Sequence, residues 1–182
     1  KCLERLEKTI QLYEKNGFIC VYDEVIFSEG KLGYFASPKA ERLKQLKDVI
    51  LDPEVKIIAA FRGGYGCTEI VFDCMNIEPT TSKTLIGFSD ITALHFLFNQ
   101  KYKLPTIHGA MGFDQISMIE EVFKVIGGKE VDFNLEAFNS SAKDRSLLAG
   151  EMAGGNLSLI TNMIGTNLHP DFKDKIVFIE DV

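Results

Sequence analysis

Ser89 is the residue whose setting in this sequence most favours chemistry. An apolar run, Lys83-Thr-Leu-Ile-Gly-Phe88, leads straight into it, and an amphipathic run, Asp90-Ile-Thr-Ala-Leu94, leaves it. A serine between a buried strand and a helix sits on a tight turn at the C-terminal edge of a parallel sheet, where open α/β folds bind ligands. The helix start behind it offers N–H groups with no intrahelical acceptor and the positive end of a dipole. The Asp90 N–H is then placed to hold an oxyanion, as in a nucleophile elbow. The match to Gly-x-Ser-x-Gly is incomplete, because Ile91 stands where the second glycine would be. The same pattern also fits a serine that only caps the helix, with Asp90 favourable in its first turn.

A second segment, Arg62-Gly-Gly-Tyr-Gly66, follows directly on an apolar run. Glycines let a backbone turn sharply and approach a ligand, so this loop can supply a second oxyanion-hole N–H or bind a carboxylate or phosphate. No Lys-Ser/Thr pair follows it, which excludes a P-loop, and the glycine spacing is wrong for a dinucleotide fingerprint. A tight strand-to-helix turn without a ligand is the plainer alternative. Cys2, Cys20, Cys67 and Cys74 form no CxxC pair, so neither a zinc ribbon nor a thioredoxin-like motif is present. Free thiols in a reducing compartment fit that usage and point to a cytoplasmic protein.

These segments need a scaffold, and the spacing of apolar residues predicts one. Leu3, Leu6, Ile10 and Tyr13 recur at helical intervals up to Gly17. Phe18 to Tyr22 reads as a short buried strand. Ser37 and Pro38 read as the N-cap and first residue of a helix that turns Ala40, Leu43, Leu46 and Ile50 inward and stops at Asp52-Pro53. Val55 to Phe61 reads as a strand with helices on both sheet faces. A helix over Thr68 to Cys74, a strand over Lys83 to Phe88 and a helix over Ile91 to Phe98 follow. A strand over Pro105 to His108 and a helix over Ile116 to Ile126, closed by Gly127-Gly128, complete the series. Strand, helix, strand at this spacing implies an α/β fold with a doubly wound, mostly parallel sheet.

The polar stretch 139–146 reads as a linker. Residues 1–138 are therefore expected to form an N-terminal domain carrying Ser89, and residues 147–182 to open a second. That second part reads as Leu147 to Glu151, a Gly154-Gly155-Asn156 turn, a helix over Leu157 to Ile164 and a strand over Ile176 to Ile179. Lys1 already sits inside a helical pattern, so a strand is expected before it, and any signal peptide with it. With 26 acidic against 20 basic side chains the net charge is −6, which argues against nucleic acid or an anionic membrane as the main partner. No apolar run reaches the roughly 18 residues that span a bilayer.

The ordered set of short motifs is more telling than any one of them. In chain order they are Gly33-Tyr-Phe-Ala36 with Arg42 downstream, Arg62-Gly-Gly-Tyr-Gly66, Ile86-Gly-Phe-Ser-Asp-Ile-Thr92 and His108-Gly-Ala-Met111. Gly154-Gly-Asn-Leu157 with Ile164-Gly-Thr166, and Ile179-Glu-Asp-Val182, close the set. Together they resemble the serine LD-carboxypeptidase family, which includes the microcin C self-immunity peptidases. The resemblance implies a parallel-sheet N-terminal domain, a strand-rich C-terminal domain, and a Ser-His-Glu triad working without a metal or organic cofactor. It implies Ser89 as nucleophile, Glu180 as the triad glutamate, and Asp90 with Gly64, in preference to Gly63, as oxyanion-hole donors. Arg62, Gly63 and Tyr65 are the expected substrate-binding residues, with Arg62 gripping a terminal carboxylate.

The triad histidine of such proteins lies far downstream, so it is expected beyond Val182, and His95, His108 and His169 read as structural. The implied substrate is a peptidoglycan tetrapeptide that loses its terminal D-alanine. Related chains tend to form homodimers, although no segment of this sequence derives one. Two departures stand out: Ala110 where relatives often carry proline, and Glu69 where many carry arginine. A microcin C-type peptidase acting on a peptidyl-nucleotide, and a non-catalytic module that binds muropeptides, are the alternative functions.

Overall fold

A computed structural model describes residues 2–23, 35–112, 116–143 and 149–182. Helix α1 spans Cys2–Lys15. It ends as its glycine requires: Gly17 adopts φ +87°, its N–H donates to Glu14 O at 2.9 Å, and the Phe18 N–H donates to Tyr13 O at 3.2 Å. That is a Schellman closure, and the Phe18 ring packs on Tyr13 with centroids 5.8 Å apart. Beyond it no strand forms over residues 18–22, contrary to the periodicity. A strand exists only through a ladder partner, and here Ile19 and Val21 lie exposed in irregular chain.

Helix α2, Lys39–Leu51, buries Leu46 and Ile50. Pro38, not Ser37, occupies the capping position, in extended conformation with ψ 148°. Ser37 is buried and its carbonyl accepts from Arg42 Nε at 3.1 Å, so it serves a tertiary contact instead of a cap. Ala40, expected inward, is exposed on the first turn. The Asp52 N–H donates to Asp48 O and closes the helix before Pro53.

Strands β1 (Ile57–Ala59), β2 (Thr84–Gly87) and β3 (Thr106–His108) form one sheet in the order β1-β2-β3. Both pairings are parallel, with Ala59 opposite Ile86 and Gly87 opposite His108. Parallel neighbours need crossovers, and α3 (Cys67–Ile70) and α4 (Thr92–Phe96) lie in them, α4 running on into a π-helical turn over Leu97–Tyr102. β1 is shorter than its apolar run and Ala59 is exposed, as befits an edge strand among the described residues. β2 is central, and after Thr84 it is apolar, with Leu85 and Ile86 buried. Each such side chain contributes roughly 1.5–3 kcal/mol on burial.

Helix α5 spans Ile116–Ile126, the range its periodicity predicts. Gly128 at φ +73° and the Lys129 N–H to Lys124 O bond stop it. Residues 139–143 form a hydrogen-bonded turn in which Asn139 Oδ1 accepts the Ala142 N–H at 2.8 Å. Residues 144–146 of the expected linker, Leu147, and Gly33 and Tyr34 of the first motif lie outside the described residues.

A second parallel pair joins β4 (Met152–Asn156) to β5 (Ile176–Glu180). The Gly154-Gly155-Asn156 segment is therefore strand and not turn. Its glycines answer to close approach: a Cβ at Gly154 would run into the carbonyl of Phe178, and one at Gly155 would meet Thr92 Oγ1. Helix α6, Leu157–Met163, follows at once, capped by Asn156 Oδ1 accepting the Leu159 N–H. Ile160, Met163 and Leu168 join the cluster of buried residues that holds Leu85, Ile86, Leu97 and Phe98. One continuous core thus joins α6, which β4 leads into, to α4. Among the described residues no helix is long and apolar enough to cross a membrane.

Candidate active site

The strand-to-helix turn at Ser89 is sharp. Phe88 is extended at φ −147°, Ser89 is left-handed at φ +59°, and a 3-10 turn over Ser89–Ile91 leads into α4. A side-chain-bearing residue in that region costs about 1–2 kcal/mol, so packing must hold it there. Gly87 permits the turn, since a Cβ on it would sit 2.6 Å from Ile91 Cγ2. Its carbonyl is gripped twice, by the Gly109 N–H at 3.1 Å and by His95 Nε2 at 2.9 Å. Ile91, standing where the second glycine would be, packs directly on Gly87.

The glycine loop folds against this turn. A Cβ on Gly63 would lie 3.0 Å from Ser89 Cβ and 3.4 Å from Ser89 Oγ, so a side chain there would crowd Ser89. Gly64 at φ +148° carries the chain past the Arg62 side chain. Arg62, Gly63, Gly64, Asp90 and Ile91 line one cavity of about 130 Å³, with Arg42 at its wall. Tyr65 borders the same cavity and is exposed. The structure thus brings Ser89, Asp90, Arg62, Gly63, Gly64 and Tyr65 into one neighbourhood. Glu69, behind the glycine loop, ion-pairs with Arg42.

Glu180 ends β5 opposite Asn156. The Asn156 N–H donates to Thr92 Oγ1 at 3.0 Å, which ties this sheet edge to the helix three residues beyond Ser89. Of the adjacent acids, Asp181 is committed to capping α6: it accepts from Ser158 N–H and Oγ and from Asn156 Nδ2. Glu180 faces His108 instead, Oε1 to Nε2 at 3.8 Å. Among the described residues no hydrogen-bond partner meets Glu180 Oε1 or His108 Nδ1. Ser89, His108 and Glu180 thus lie at or just past the C-terminal ends of β2, β3 and β5. His108 is the neighbour that a reading of local motifs passes over, because its link to Glu180 spans 72 positions. Burial lowers its pKa, and Glu180 works in the opposite direction.

The other two histidines are held by the fold. His169 Nδ1 accepts the Gly165 N–H at 3.0 Å in an exposed loop. His95 is buried, and a carbonyl acceptor requires its Nε2 to carry the proton. Desolvation lowers its pKa to about 4. Burying His95 neutral means that the unfolded chain binds a proton below about pH 6.5 that the folded chain refuses until about pH 4. Stability from this group is complete above pH 6.5 and falls by roughly 3 kcal/mol as pH drops through that window. His95→Gln is expected to flatten the fall in thermal midpoint between pH 7.5 and pH 5. Equal slopes for wild type and variant would contradict the assignment. Among the described residues no three histidine, cysteine or carboxylate side chains converge to hold a metal ion.

Residues 1–109 match the pattern of the LD-carboxypeptidase N-terminal domain, and residues 149–182 match that of the LD-carboxypeptidase C-terminal domain. The chain belongs to the LD-carboxypeptidase family. A Rickettsia conorii protein described as a carboxypeptidase is 34% identical over 178 residues, covering 92% of this chain and 56% of its own length. The murein tetrapeptide carboxypeptidase of Pseudomonas aeruginosa is 27% identical over 172 residues, covering 85% of this chain and 54% of its own length. The chain spans about half the length of the curated relatives it matches.

Among solved structures, the microcin C7 self-immunity protein superposes with TM-score 0.72 at 18% identity, over 98% of this chain and 63% of that one. The muramoyltetrapeptide carboxypeptidase of Oxalobacter formigenes superposes with TM-score 0.71 at 24% identity, over 96% and 60%. At those identities the LD-carboxypeptidase likeness of structure is one of fold. It bears out an α/β chain built on parallel sheets.

Proposed function

We propose that the complete protein is a serine carboxypeptidase that hydrolyses the amide between an L-centre and a terminal D-amino acid. Release of D-alanine from peptidoglycan tetrapeptides in the cytoplasm, during cell-wall recycling, is the reading best supported by family membership. The observation that carries it is Ser89, held left-handed on a strand-to-helix turn with Gly63 so near that an added Cβ would meet its side chain. In this reading Ser89 Oγ attacks the scissile carbonyl, a histidine takes its proton, and Glu180 holds that imidazole in the productive tautomer. The N–H groups of Asp90 and Gly64 stabilise the tetrahedral oxyanion. Arg62 grips the terminal carboxylate beside Gly63 and Tyr65. Residues 1–138 form the nucleophile-bearing domain, and the second opens at 147.

Chirality is the sharpest consequence. With the carboxylate and the carbonyl both pinned, inverting the α-carbon swings its methyl group into the wall that its hydrogen normally faces. A misalignment of about 3 kcal/mol gives roughly a hundredfold preference. The complete protein is expected to release alanine from a peptide ending in L-lysyl-D-alanine and to leave the L-alanine diastereomer nearly untouched, read by chromatography under identical conditions. Equal rates would refute the reading. A second reading draws support from the fold shared with the microcin C7 self-immunity protein: cleavage of a peptidyl-nucleotide alone would favour it.

A further inference from the structure

The peptide unit that joins Gly66 to Cys67 is held at both of its polar ends. Its carbonyl accepts from Arg42 Nη1 at 2.7 Å, and its N–H donates to Asp90 Oδ2 at 2.9 Å. Both bonds are charge-assisted, and both lie away from bulk water, Asp90 being 5% exposed and the Arg42 side chain 12%. Arg42 is itself fixed by the Ser37 carbonyl, by Glu69, and by the Phe35 ring 5.0 Å below its guanidinium. Cys67, Arg42 and Glu69 are the titratable groups that face the Asp90 carboxyl.

The peptide follows a glycine at φ +109°, whose backbone freedom lets it turn. Left to itself it would rotate, and the loop carrying Gly63 and Gly64 would drift from Ser89. The Asp90 carboxylate prevents this from the one position already tied to the nucleophile, the next residue in the chain. Its backbone N–H and its side chain therefore act on the two halves of the same oxyanion hole.

We infer that the Asp90 carboxylate and Arg42 are positioning residues that lock the Gly66–Cys67 peptide and thereby hold the Gly63-Gly64 backbone at its working distance from Ser89. This rests on Ser89 acting as the nucleophile. A loop that drifts weakens transition-state stabilisation more than ground-state binding, so the loss belongs in kcat.

The test is steady-state kinetics of the complete protein on a peptide ending in L-lysyl-D-alanine. Asp90→Ala is expected to lower kcat about thirtyfold with KM changed less than threefold, and Asp90→Asn, which keeps an oxygen for the Cys67 N–H, to recover at least part of that loss. Arg42→Gln is expected to lower kcat about tenfold, again with KM nearly constant, and it carries the test if Asp90→Ala does not fold. Wild-type kcat in the folded Asp90→Ala or Arg42→Gln protein would overturn the inference, as would a loss confined to KM. Ser89→Ala is run beside them: an active Ser89→Ala protein refutes the nucleophile, whereas an inactive one with unimpaired Asp90→Ala refutes the clamp alone.

Discussion

Replacing Ser89 with alanine is expected to lower turnover by the complete protein about 10³-fold or more while leaving its fold intact. The side chain that is lost is a single oxygen. Alanine keeps the Cβ against which Gly63 packs, and the left-handed φ of +59° strains alanine as it strains serine. Among the described residues no hydrogen bond to Oγ shapes the turn, and Gly87 is held through its carbonyl by Gly109 and His95. The loss is therefore chemical. Residual hydrolysis is expected from the proposed oxyanion-hole donors, which would still polarise the carbonyl for water. Steady-state alanine release measures the loss, and the thermal midpoint is the control for folding.

Gly154→Ala is expected to act on the fold with comparable force. Gly154 faces Phe178 across the β4–β5 ladder, and an added Cβ runs into the Phe178 carbonyl, a backbone atom that has no rotamer to move to. Its φ of +155° adds conformational cost for any residue with a side chain. Overpacking and backbone strain together are expected to destabilise by about 4 kcal/mol, a large share of the roughly 5–15 kcal/mol that a domain commands. Glu180 stands two residues beyond Phe178, so what remains folded should also lose activity. Chemical denaturation of the complete protein checks this, and a midpoint equal to that of wild type would show that the strands do not approach as described.

Local chemistry made much of the fold legible. The stop at Gly127-Gly128 places the end of α5, and the run from Lys83 to Leu94 announces a strand, a sharp turn and a helix because each step is written in adjacent residues. The segment Phe18 to Tyr22 is apolar enough for a strand but has no ladder partner among the described residues. Gly154 and Gly155 read as a turn because glycine permits φ above zero. What requires glycine there is the closeness of Phe178 and Thr92, residues 24 and 63 positions away. The same distance in sequence hides the pairing of His108 with Glu180 and the grip of Asp90 on Cys67. No local period or motif spacing encodes a contact whose halves belong to different elements.

The proposed function depends on Ser89 as the nucleophile, and the most direct measurement is the rate of D-alanine release by the complete protein, wild type beside Ser89→Ala, at saturating L-lysyl-D-alanine peptide. A fall of about 10³-fold or more, with the thermal midpoint unchanged, is expected. A Ser89→Ala protein that melts with wild type and keeps more than about a tenth of its turnover, where loss of the nucleophile alone requires orders of magnitude, would contradict it.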